Sequence, residues 1–231
     1  MNAVAFFDPA HGRHAIARSG LTLLFDGSTT EAVPEGAEIE ASGAGVTATL
    51  AGRFELSLEP LSEALLVGGT RLQPAAVSGT MAGGRIDCMG LIGETDEPPR
   101  WAELDVIRSV AVVFDELHAL VLEARRPRGA VGHETETVVA VLLEDGEAHP
   151  VEDARLSTVY DGEGRQRSAG LELWLEDEDF PRRASGAAAA GTTLELPGLV
   201  AHASIFEWQM DEHRAHGLYE ITTREIEPTA A

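Results

Sequence analysis

The longest apolar stretches of the chain lie between Arg108 and Leu143 and flank a dense polar insert: RSVAVVFDELHALVLEARRPRGAVGHETETVVAVLL. Val110, Val112 and Phe114 alternate with Ala111 and Val113, and Leu117, Ala119 and Val121 alternate with His118, Leu120 and Leu122, so both faces of both runs are largely apolar. Strands with that pattern are buried on two sides. The β-branched valines and the polar Asp115-Glu116 between two equal runs predict a hairpin over Val110–Leu122. A helix over Trp101–Arg125, opened by Pro98 and Pro99, is the competing assignment. With a two-residue turn, Phe114 faces Leu117, Val112 faces Ala119, Val110 faces Val121 and Arg108 faces Glu123. An arginine on an apolar face cannot discard its charge and requires a carboxylate or an anionic ligand. Glu123 supplies the carboxylate in this register.

Shorter alternating segments surround this stretch. LTLLFDG reverses at Asp26-Gly27, and AEIEA, GVTATLAG and RFELSLEP form an antiparallel meander with Val46, Ala48 and Leu50, then Phe54, Leu56 and Leu58, on one face each. Gly68-Gly69 and Gly83-Gly84 bracket a strand around Ala75 to Met81, RIDCMGLIG supplies the next, and GETDEPPR reads as a seam or a flap over a cavity. Hairpin turns are expected at Glu144–Glu147 and Asp161–Gly164. The small residues ASGAAAAGTT, 184–193, read as a flexible loop. SIFEWQMDEHRAHGLYEI reads as a hairpin around Asp211 to Arg214, with Phe206 facing Tyr219 and Trp208 across from Gly217. The pattern predicts an all-β protein with little helix, either one antiparallel barrel or two packed barrel or sandwich halves, divided into 1–97 and 98–231.

Charge narrows the partners. Asp and Glu number 39 against 17 basic residues, a formal net charge of -22, which repels polyanions and argues against nucleic acid and anionic membrane surfaces. Every one of the 17 basic residues is arginine, so Schiff-base chemistry and lysine-dependent phosphate loops are excluded. With abundant Ala and Gly, the composition suggests a GC-rich bacterial genome. Cys88 is the single cysteine, which rules out an internal disulfide and fits a reducing cytoplasm. MNAVAFFDPAHGRHA lacks a secretory pattern and reads as a poorly ordered terminus, and no apolar run approaches the ~18 residues of a membrane span. A cytoplasmic protein without membrane insertion is expected.

No G-x-S-x-G, G-x-x-x-x-G-K, H-E-x-x-H or kinase signature is present, and no cofactor is expected. No metal is expected either, because the histidines are scattered: in His213/His216 and in His11/His14 a three-residue offset on a strand sends the rings to opposite faces. The HETE insert is the richest polar segment, with Glu134 and Glu136 on one face and His133 with Thr135 and Thr137 on the other. A desolvated carboxylate there could act as general acid or base; alternatively the two glutamates pair with Arg125, Arg126 or Arg128. Asp87, Trp101, Asp105 and His118 lie beside apolar strands, and His118 suits a hydrogen-bonded core or rim position. Nothing marks Cys88 as reactive.

The progression from RSVAVVFDELHALVLEARRPRGAVGHETETVVAVLLEDGE through ARLSTVYDGEGRQRSAGLELWLE to FEWQMDEHRAHGLYE resembles the lipocalin-like superfamily that includes carotenoid 1,2-hydratases, over roughly the last 130 residues. The resemblance implies a β-barrel with an apolar cavity, sometimes two in tandem, that takes terpenoid- or polyketide-like molecules. Where the hydratases carry an Asp-His-Ser-Trp-Gly-like motif, this chain has IDCMGLIGETDEPPRW, which keeps Asp87 and Trp101 but no histidine. Two functions follow as expectations. One is non-catalytic binding of an apolar small molecule, with Arg108, His118, His133, Trp101 and Trp208 around it. The other is a lyase or isomerase of hydratase or cyclase type, with Glu136, Glu134 or Asp87 as the acid or base.

Overall fold

The computed structural model describes residues 2–43, 45–132, 135–176 and 178–225, and among them every regular element is a β-strand. No helix among the described residues is long and apolar enough to cross a membrane. The first sheet contains β1 (Asn2–Asp8), β2 (Arg13–Arg18), β3 (Leu21–Asp26), β4 (Thr29–Val33), β5 (Glu38–Ser42), β6 (Gly45–Leu50), β7 (Phe54–Pro60), β8 (Leu65–Val67), β9 (Thr70–Met81) and β10 (Gly84–Thr95). The second contains β11 (Leu104–Val113), β12 (Ala119–Pro127), β13 (Thr137–Glu144), β14 (Glu147–Pro150), β15 (Asp153–Tyr160), β16 (Gln166–Trp174), β17 (Arg182–Leu196), β18 (Leu199–Met210) and β19 (His213–Arg224). Their orders are β4-β3-β2-β1-β10-β9-β7-β6-β5, with β8 beside β9, and β14-β13-β12-β11-β19-β18-β17-β16-β15, all antiparallel. The fold is all-β: two curled half-barrels, joined through residues 96–103.

Three layers of apolar side chains hold it together. Val4, Phe6, Leu24, Phe54, Leu58 and Ile86 fill the first half-barrel, and Val110, Val112, Leu120, Leu122, Phe206 and Trp208 the second. Between the halves, Phe7, Ile16, Phe25 and Leu91 meet Ala111, Val113, Val121 and Ile205. This middle layer explains the two-sided patterning of β11 and β12: even positions of β11 face a barrel interior and odd positions face the other half. β1 has the same character, which corrects the expectation of a disordered terminus. It lies between β2 and β10, with Val4 and Phe6 inward and Ala5 and Phe7 at the seam.

The β11–β12 hairpin forms, and the helix over Trp101–Arg125 does not, but the register is one residue from that expected: Val112 pairs with Leu120, Ser109 with Glu123 and Arg108 with Ala124. The cause is the turn. Asp115 Oδ1 accepts the backbone N–H groups of Leu117 and His118 at 2.8 and 2.9 Å, and Phe114 N–H donates to His118 O at 2.8 Å, so the turn runs over five residues. A one-residue slip exchanges the faces, so Arg108 and Glu123 point to opposite sides and cannot pair.

Two further differences concern the C-terminal meander. Residues 184–193 are not a loop but belong to β17, which pairs with β18 along this segment and with β16 as far as Ala187. Ala and Gly are poor strand formers, yet here their small size is what the neighbouring rings require: a Cβ at Gly186 would lie 2.7 Å from Trp208 and 3.0 Å from Phe206. In the β18–β19 hairpin Phe206 pairs with Gly217 and Trp208 with Ala215, a two-residue shift that keeps the predicted faces, and the Phe206 and Tyr219 rings meet edge to face at 5.2 Å.

Candidate functional site

Arg108 projects into the second half-barrel and is 2 % exposed. Its guanidinium pairs with Glu136, and its Nη1 also donates to Leu156 O at 3.2 Å and Thr158 Oγ1 at 3.4 Å. Thr158 Oγ1 lies 2.5 Å from the Tyr219 hydroxyl, and Gln166 Nε2 donates to the carbonyls of His202 and Tyr219. These bonds tie β11 and β19 across the interior to β15 and β16. Glu136 is thus engaged by an arginine 28 positions earlier in the chain. Burial pushes the Tyr219 phenol up to about 12, against the opposing pull of the Thr158 hydrogen bond and the Arg108 charge. Arg108 Nε and Trp208 Nε1 find no acceptor among the described residues. The same half-barrel holds the fully buried rings of Trp208, Phe206 and Tyr219, whose centroids are 5.2 to 6.3 Å apart.

The opposite face of the same hairpin is open. Glu123 and Arg125 of β12 point toward the seam, where Arg125 Nε donates to Glu123 Oε1 at 2.6 Å and its Nη2 to the carbonyl of Gly68. Gly68, in the β8–β9 turn at a φ of 54°, adopts a left-handed conformation that suits glycine, and a Cβ there would meet the Glu123 carboxyl and force it to move. Burial raises the Glu123 carboxyl above its ordinary value, although the Arg125 hydrogen bond and charge oppose it. Beside this pair lies a half-open cleft of about 430 Å³, walled by Gly68, Gly69, residues 97–100, Glu103, Leu104 and Arg125. Its volume is within the range of small-molecule sites.

The other candidates are dispersed. Asp87 is exposed on β10 and pairs with Arg85 at 2.8 Å. Trp101 is partly buried in the connecting turn just after the cleft wall, its N–H donating to Pro99 O at 3.1 Å. Asp105 accepts the Gly129 N–H at 2.8 Å. Trp208 belongs to the barrel core. His133 and Glu134 lie outside the described residues. His118 takes a hydrogen-bonded rim position, its Nδ1 2.8 Å from Asp115 Oδ1. Cys88 is partly buried, and burial pushes its thiol up to about 12, consistent with an unreactive side chain. His11 holds the buried Asp8, while His14 stacks on His216 across the seam at 5.1 Å. In the sequence Glu123 is legible only as an expected partner of Arg108, and Arg125 as one of three arginines that could pair with Glu134 and Glu136. Their alternation with Leu122 and Ala124 was the available signal, once the turn length was known.

Two curled antiparallel half-barrel sheets in this order match solved structures of very different sequence. The fold is lipocalin-like. Kievitone hydratase from Nectria haematococca superposes with a TM-score of 0.60 at 9% sequence identity, covering 96% of this chain and 87% of that one. A protein assigned as AttH from Nitrosomonas europaea superposes with a TM-score of 0.57 at 11% identity, covering 96% of this chain and 91% of that one. At such identities the likeness concerns architecture. No family model and no curated protein sequence matches the chain.

Proposed function

We propose that this lipocalin-like protein binds a small molecule in the seam cleft rather than inside a barrel. The observation that carries the reading is Glu123: a desolvated carboxyl fixed by Arg125 and Gly68 beside a cleft of about 430 Å³. The cleft walls combine Pro98, Pro99 and Leu104 with two acidic and two basic residues, Glu97, Glu103, Arg100 and Arg125. Those charges balance, and Glu123 adds a negative one, so an anionic ligand is disfavoured. A ligand with an apolar body and a neutral carbonyl or hydroxyl suits the site, the oxygen accepting from Arg125 or bonding to Glu123.

Calorimetry with β-ionone, a neutral terpenoid ketone, and with dodecanoate tests this. β-Ionone is expected to bind, with a loss of at least about 10-fold in Arg125→Ala, the effect of one strong hydrogen bond, and dodecanoate is expected to bind more weakly. Failure of both, or binding indifferent to Arg125, would overturn the assignment.

The raised carboxyl favours a second reading, in which Glu123 donates a proton to a double bond of the bound molecule and the carboxylate takes one back, either from a neighbouring carbon as in an isomerase or from a water that adds to the cation as in a hydratase. Glu136 suits that task poorly, because Arg108 engages its carboxylate in the interior. In D2O a catalytic Glu123 would place deuterium on the ligand, and Glu123→Gln would stop the exchange while binding persisted. Binding without exchange leaves the first reading alone.

A further inference from the structure

Two turns converge at the end of the second half-barrel remote from Arg108. Asp115 and His118 occupy the β11–β12 turn, and His213 opens β19, paired with Met210 across a two-residue turn. The imidazoles of His118 and His213 lie 4.2 Å apart and face the same carboxylate. His118 Nδ1 is 3.0 Å from Asp115 Oδ2, His213 Nδ1 is 3.2 Å from the same oxygen, and one ligand atom from each residue lies within 4.8 Å of the others. These separations approach the edge of a tetrahedron of ligands with bonds of about 2.0 to 2.1 Å, which is about 3.3 Å.

We propose that Asp115, His118 and His213 form a binding site for one divalent transition-metal ion, with zinc as the simplest occupant. The donor set of two imidazoles and a carboxylate selects such ions over calcium or magnesium, which prefer oxygen. The carboxylate is oriented beforehand: Asp115 Oδ1 accepts the N–H groups of Leu117 and His118, and Gly146 N–H donates to Leu117 O at 3.0 Å, fastening this turn to the next hairpin. Asp145 Oδ1 stands 3.8 Å from His118 Nε2, the place of an outer carboxylate behind a metal-bound histidine. Side-chain exposures of 17%, 26% and 43% for His118, His213 and Asp115 leave a fourth position open to water or a ligand. The histidines that looked scattered along the chain are thus brought together in a different combination. His213 joins His118, while His216, three positions on, turns to the seam and stacks on His14.

The competing account is a metal-free hydrogen-bonded triad in which each Nδ1 carries a proton toward Asp115. Titration of chelator-treated protein with zinc and with cobalt(II), followed by calorimetry and by the visible cobalt spectrum, separates the two. One equivalent should bind, with the ligand-field bands of four-coordinate cobalt. His118→Asn and His213→Asn should each weaken binding at least about 10-fold, with an unchanged far-ultraviolet dichroism spectrum, whereas the double variant His14→Asn with His216→Asn should bind as the parent does. Absence of binding, or binding that persists in His118→Asn with His213→Asn, would overturn the site.

Discussion

One arginine–glutamate pair lies on each side of the β11–β12 hairpin, and the two differ in almost every respect but residue type. The side chains of Arg108 and Glu136 are each 3% exposed and lie in the half-barrel that also buries Trp208, Phe206 and Tyr219, with bonds from Arg108 that cross the barrel. The side chains of Arg125 and Glu123 are 33% and 10% exposed, and Arg125 meets a backbone carbonyl of the other half and borders a cleft. The first arrangement stitches strands together among buried rings. The second holds a carboxyl partly stripped of water, hydrogen-bonded to an arginine that lines a cleft. Strand parity alone decides which arginine does which, because Arg108 and Arg125 sit on opposite faces of paired strands.

The contrast is sharpest in stability. Arg108→Met removes the positive charge that faces a buried carboxylate and should cost about 3 to 5 kcal/mol, while Arg108→Met combined with Glu136→Leu should recover most of it. Urea unfolding of the single and double variants measures the coupling, and equal losses in both would contradict the interior pair. An intermediate effect is expected at the seam. Gly68→Ala demands a left-handed φ of a residue with a side chain and drives its Cβ into Glu123, so it should cost about 2 kcal/mol and displace the carboxyl from the cleft, abolishing β-ionone binding.

The smallest effect separates the two glutamates. Because the folded Glu123 carboxyl lies above its ordinary 4.5, the folded protein binds its proton more tightly than the unfolded chain, and this contribution is full below pH 4.5 and lost as pH rises through the folded value. At neutral pH, Glu123→Gln should therefore change stability by less than about 1 kcal/mol, or raise it, and should remove that part of the pH dependence. Unfolding curves at pH 4 and pH 7 for parent and variant test the sign.

How much of this was legible depended on turn chemistry. The two-sided apolar pattern of Val110–Leu122 identified the hairpin, since a strand inside a two-layer protein has to be apolar on both faces. The register was missed because Asp115 was read as one residue of a tight turn, whereas its side chain caps a longer one; the signal was an Asp followed by two residues able to offer N–H groups. That single step transferred Glu123 from barrel to seam. Glu136 stands out in the sequence as part of the richest polar segment, but the arginine that engages it comes from β11, a long-range pairing that no local pattern encodes. The strand at 184–193 was invisible to propensity because its stability comes from β16 and β18 and from rings laid over Gly186. The Asp115–His118–His213 cluster was hidden for a related reason: almost a hundred residues separate its two turns, and only sheet order makes them neighbours.

The most direct test of the seam as the ligand site is a ¹³C NMR titration of the Glu123 side-chain carboxyl, with and without β-ionone. The account predicts a midpoint above 4.5 in the free protein, moving further up when the ligand covers the cleft and excludes water from the carboxyl. A midpoint at or below 4.5, or one that saturating ligand leaves unchanged, would contradict it.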